Sequence, residues 1–76
     1  MTPAQCRAAR ALIELSQAGL SGAAVVPATV IAYYESGVGT PRPADLKAIQ
    51  HALERAGVEF TNVGGAAGVR LRKRGW

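Results

Sequence analysis

Up to Gly57 the apolar residues recur at intervals of three and four, and beyond it they alternate with polar ones, which divides the chain into a helical part and a strand-forming tail. Thr2, Pro3 and Gln5 make a helix start: a hydroxyl cap, a proline in the first turn, and a glutamine spaced to answer the cap. The helix they open is predicted from Pro3 to about Leu15, with Cys6, Arg10 and Ile13 on its inward face and Ala9 beside them. Arg10 is the odd member of that face, because a buried guanidinium is costly unless it is paired and hydrogen-bonded.

Ser16 is a good N-cap for a second helix over Gln17–Ala24, whose Leu20 and Ala24 share one face. Pro27 biases Val26 toward extended backbone and suits the abrupt start of a third helix over Ala28–Ser36. There Ile31 and Tyr34 fall on the anchored face, and Ala28, Thr29, Ala32 and Tyr33 on or near the opposite one. Gly19 and Gly22 weaken the second helix by about 1 kcal/mol each against alanine, so it is expected to be the softest. The stretch GVGTPRP then reads as a loop, and a fourth helix is predicted from Pro43 to Ala56, with Leu46, Ile49, Leu53 and Ala56 inward, His51 toward solvent and Gly57 as terminator. In the tail, Val58-Glu59-Phe60 and Val69-Arg70-Leu71-Arg72 alternate on either side of a glycine-rich stretch, the pattern of a β-hairpin. A lone two-stranded hairpin is marginal, so it must pack on the helices or on a second copy.

Arg10, Ser16, Gln17, Leu20, Ala24, Val26, Ile31, Tyr34, Glu35 and Gly37 occur in an order and spacing that resembles the Cro-like phage-repressor helix-turn-helix family, the XRE-type regulators. The resemblance covers the helical part of the chain. It implies a repressor-like domain of four or five helices, here with a short C-terminal β-hairpin, in which the third helix enters the major groove of DNA and the second crosses the backbone. It also supplies the missing partner of Arg10, as a structural ion pair with Glu35. Val25 stands where the family has glycine; a β-branched residue resists the left-handed backbone wanted there, so an opened or reshaped turn is expected.

The resemblance divides the candidate residues by role. Base-facing positions are Ala28, Thr29, Ala32 and Tyr33. Phosphate contacts are expected from Gln17, Thr40 and Arg42, with backbone N–H groups at helix starts. None of the base-facing residues is an arginine, asparagine or glutamine, so hydrogen-bonded base reading is sparse and DNA shape carries more of the specificity. One such module buries too little surface for strong specific binding, which calls for a homodimer on paired half-sites with recognition helices roughly 34 Å apart. Residues 1–57 form the DNA-binding unit; residues 58–76 form the hairpin and basic tail, with Val58, Phe60, Val69 and Leu71 assigned to dimerisation.

Composition adds charge and removes alternatives. Nine Lys and Arg against five Asp and Glu leave the 76-residue chain at +4, with Arg70, Arg72, Lys73 and Arg74 gathered at its end. That balance favours double-stranded DNA as a partner. A single cysteine forms no internal disulfide, and no long apolar run or charged leader is seen, so the cytoplasm is the expected compartment and no membrane is involved. Gly65-Ala66-Ala67-Gly68 fits a KH-type GXXG loop only if it joins helices, and it is read here between strands; a P-loop lacks its lysine. With one His, one Cys and no metal-ligand spacing, neither an enzyme nor a cofactor is expected. The competing class is an antitoxin-type protein that binds a partner toxin and autoregulates its promoter.

Overall fold

A computed structural model of the protein describes residues 1–72. The chain forms four helices, α1 (Pro3–Leu12), α2 (Gln17–Ala24), α3 (Ala28–Glu35) and α4 (Pro43–Arg55), then strands β1 (Val58–Val63) and β2 (Ala66–Leu71). It is a mainly α fold closed by a C-terminal antiparallel hairpin. Lys73, Arg74 and Trp76, the end of the expected basic tail, lie outside the described residues.

The start signals act as their chemistry requires. Thr2 Oγ1 accepts from the Gln5 backbone N–H at 3.0 Å while Gln5 Oε1 accepts from the Thr2 N–H at 2.8 Å, a complete capping box. Ser16 Oγ accepts from the Gly19 N–H at 2.9 Å and caps α2. Helix ends follow a common device, a left-handed residue just past each helix: Glu14 (φ 53°), Val25 (φ 57°), Gly37 (φ 78°) and Gly57 (φ 104°). At the first of these, the Leu15 N–H reaches back to the Arg10 carbonyl at 2.9 Å and the Glu14 N–H to Ala11 at 3.2 Å. This pair of bonds satisfies the last turn and ends α1 at Leu12, earlier than the expected Leu15.

The turn between α2 and α3 corrects the expectation of a reshaped connection. Val25 itself takes the left-handed conformation, φ 57° and ψ 47°, and the Val26 N–H closes onto the Ser21 carbonyl at 3.2 Å. Its side chain is 89% exposed, so the branched Cβ meets the local backbone cost without any packing conflict. The two glycines of α2 also differ. A Cβ on Gly22 would meet open space, whereas one on Gly19 would lie 2.6 Å from Leu15 Cδ1.

One core joins the four helices and β1: Cys6 and Ala9 of α1, Leu20 and Ala24 of α2, Val26 in the turn, Ile31 and Tyr34 of α3, Ile49, Ala52 and Leu53 of α4, and Val58 of β1, with Val69 of β2 packed partly against it. Ala56 is exposed, and Ala52 takes the inward place predicted for it. His51 faces solvent.

The hairpin turns through Gly64 and Gly65, both at positive φ (62° and 82°), as a two-residue type I′ connection needs. Phe60 stands opposite Val69 and Thr61 opposite Gly68. Gln5 fastens this sheet to α1: its Nε2 donates to the carbonyls of Thr61 at 3.2 Å and Gly68 at 2.9 Å, one from each strand. This seating removes Val58 from the dimerisation set. Val58 is 1% exposed within the core of its own chain, and Phe60 and Val69 pack partly against that core. Leu71, at 52%, is the member of the set left exposed. Among the described residues no helix is long and apolar enough to cross a membrane.

Candidate nucleic-acid interface

Helix α3 is held from behind and open in front. Ile31, Tyr34 and Glu35 are buried, and the Tyr34 hydroxyl donates to the Met1 carbonyl at 2.8 Å. On the other side Ala28, Thr29 and Tyr33 are exposed, Tyr33 at 60%. Ala32 is half-buried, so its expected place on the open face is corrected to a flank. Pro27 enters in extended backbone (φ −55°, ψ 139°) and provides the carbonyl for the Val30 and Ile31 N–H groups at 3.0 and 3.4 Å. No side chain caps this helix start; Pro27 carries no N–H and its carbonyl takes those of Val30 and Ile31, which leaves the N–H groups of Ala28 and Thr29 without an intrahelical acceptor.

What holds α3 is the carboxylate of Glu35, 3% exposed. Arg10 grips it with two parallel bonds, Nε to Oε2 and Nη2 to Oε1, each 2.7 Å. Gln17 Nε2 adds a third donor to Oε1 at 2.9 Å, and the Cys6 thiol a fourth to Oε2 at 3.1 Å. Arg10 Nη1 reaches the Leu15 carbonyl at 2.9 Å, and Arg7 donates through Nη1 to the Glu35 backbone carbonyl. Three helices thus converge on one side chain, with the carboxylate–guanidinium geometry of a fork. The predicted Arg10–Glu35 pair is present.

Electrostatics follow from this arrangement. Burial disfavours the charged Glu35, but the hydrogen bonds from Arg10, Gln17 and Cys6 outweigh it and hold the carboxyl below its ordinary value. The Cys6 thiol is pushed up to about 12, by burial first and then by its bond to Glu35, so it stays a neutral donor. Arg10 is raised by its bond to Glu35, and burial raises Tyr34. No buried side-chain N or O atom among the described residues lacks a partner.

The phosphate set divides. Thr40 and Arg42 are exposed on the loop leading into α4, Arg42 with Asp45 Oδ2 at 3.4 Å. Gln17 is half-buried, and one N–H of its amide is turned inward onto Glu35. Cys6 was not expected as a polar partner. The signal for it was present in the four-residue spacing to Arg10, which stacks the two side chains on one helix face. No group of three or more His, Cys, Asp or Glu capable of holding a metal occurs among the described residues.

No protein-family model matches the chain, and neither does any curated protein.

Proposed function

We propose that this protein is a sequence-specific DNA-binding transcriptional regulator of the Cro-like, XRE type, working in the cytoplasm as a homodimer on paired half-sites. The observation that carries the reading is the division of α3 into a face locked to the body through Ile31, Tyr34 and Glu35 and a face, Ala28, Thr29 and Tyr33, left free. A helix this short earns no independent stability in water; its rigid outward presentation is what a groove-entering helix needs. Exposed Thr40 and Arg42 and the free N–H groups at helix starts supply phosphate donors that fix register. The +4 charge supplies the general attraction to the duplex. The exposed Leu71 and Val63 of the hairpin offer contact to a second copy.

Footprinting on the DNA upstream of the protein's own coding region, followed by gel-shift titration, tests the proposal. Binding should be site-selective and fall steeply with salt. Tyr33→Ala should weaken it at least fivefold with an unchanged circular dichroism spectrum. Equal affinity for every duplex at moderate salt refutes the reading, and co-purification of a toxin encoded next door moves it to the antitoxin class.

A further inference from the structure

From Leu15 to Tyr34 the chain contains no charged residue, and its one side-chain amide, Gln17, is turned inward onto Glu35. The side chains on the free face of α3 therefore offer a groove only methyl groups, an aromatic ring and the hydroxyls of Thr29 and Tyr33. The shallow groove ahead of α3, about 380 Å³ and lined by Ser21, Gly22, Val25, Val26 and Pro27, is equally uncharged. Guanine is read by arginine or lysine and adenine by asparagine or glutamine; hydroxyls bond donors and acceptors alike and discriminate little. What remains on the floor of the major groove for an apolar surface is the C5-methyl group of thymine. 5-Methylcytosine carries a methyl at the same ring carbon.

We infer that α3 reads the C5-methyl group of pyrimidines, through the Cβ of Ala28 and the Cγ2 of Thr29, so that thymine is distinguished from uracil and methylated from unmethylated cytosine. The inference rests on the DNA-binding reading above and specifies what that helix recognises.

The test uses the full chain and the tightest duplex selected from a random pool, in which each thymine is replaced in turn by deoxyuridine. That change removes the methyl and leaves the base-pairing and groove hydrogen-bond groups intact. At the thymines under α3 each replacement should weaken binding about fourfold, the worth of burying one methyl-sized group, and thymines elsewhere should be silent. Where cytosine is placed at such a position, its 5-methylation should strengthen binding by about the same factor. Thr29→Ser, which removes the methyl and keeps the hydroxyl, should bring the thymine-to-uracil ratio at its position toward one. Thr29→Val should preserve that ratio. If the selected duplex binds tightly and all its deoxyuridine forms bind within twofold of it, the methyl reading fails and DNA binding stands. If no duplex is preferred at all, the DNA-binding reading itself fails.

Discussion

Replacing Glu35 by glutamine keeps the shape of the side chain and deletes its charge, and the structure fixes what that costs. Each carboxylate oxygen accepts two bonds, from Arg10 and Gln17 on one and from Arg10 and Cys6 on the other. In Glu35→Gln one oxygen becomes an NH₂ group that faces donors, and the Arg10 guanidinium loses its counter-charge. Breaking a buried pair from one side costs about 3–5 kcal/mol. Arg10 is 19% exposed and keeps some access to water, which puts the expected loss at the lower end, about 3 kcal/mol. For a chain of 76 residues the whole stability is about 4–11 kcal/mol, so the variant should be folded but fragile. Urea unfolding followed by circular dichroism at pH 7 reads the loss directly. Arg10→Met alone should be comparably harmful, because it strands a buried carboxylate, while the double variant should recover at least about 1.5 kcal/mol of the summed loss. The pH dependence supplies a second readout. Folded Glu35 binds its proton less tightly than the unfolded chain does, so its contribution is complete above the ordinary value of 4.5 and is lost as pH falls through the depressed folded value. Glu35→Gln should lack that acid limb. A loss under about 1 kcal/mol, or simple additivity in the double variant, refutes the assignment of Glu35 as the point that holds three helices together.

Other outcomes follow from single contacts. Gln5→Glu keeps an oxygen for the Thr2 N–H but turns a carboxylate toward the carbonyls of Thr61 and Gly68, and should cost about 2–3 kcal/mol; amide hydrogen exchange in the β1–β2 ladder should accelerate, and unchanged protection would sink the idea. Val25→Gly relieves a left-handed β-branched residue and should stabilise by about 0.5–1 kcal/mol. A lower melting temperature for that variant counts against the observed turn. Gly22→Ala should stabilise by a similar amount, about 0.5–1 kcal/mol, and Gly19→Ala should show no comparable gain, since its Cβ would crowd Leu15.

Legibility in the sequence followed the range of the interaction. Signals contained within one turn of helix, such as Thr2 with Gln5 or Ser16 ahead of Gln17, act through neighbours three residues away, and the structure places those starts where the residues put them. The alternation around Gly64 and Gly65 likewise marked the hairpin, whose period of two is a local property of extended backbone. The ends of α2, α3 and α4 fall at or within one residue of where the sequence puts them, and only α1 stops short, at Leu12 rather than Leu15. Glu14 and Val25 take the left-handed geometry of Gly37 and Gly57 without glycine's freedom, because the backbone bonds of the closing turn outweigh a cost of about 1–2 kcal/mol. At the candidate interface, Ile31 and Tyr34 inward and Thr29 and Tyr33 outward were readable from helical spacing. Gln17 was not: its orientation depends on a free lone pair of Glu35, eighteen positions later. Val58 misled because an alternating pattern says that a strand has an apolar face and is silent on which neighbour covers it.

The amide of Gln5 has a consequence in time. Its last two partners lie 56 and 63 positions further along the chain, so the opening helix is fastened only once the final strand has turned back. Closing a loop that encloses most of the polypeptide is a slow, entropically uphill event compared with forming a helical turn. A chain cut before Gly68 loses one of these two acceptors, so its first helix is less firmly clasped and the product should be more open to proteolysis than the intact protein.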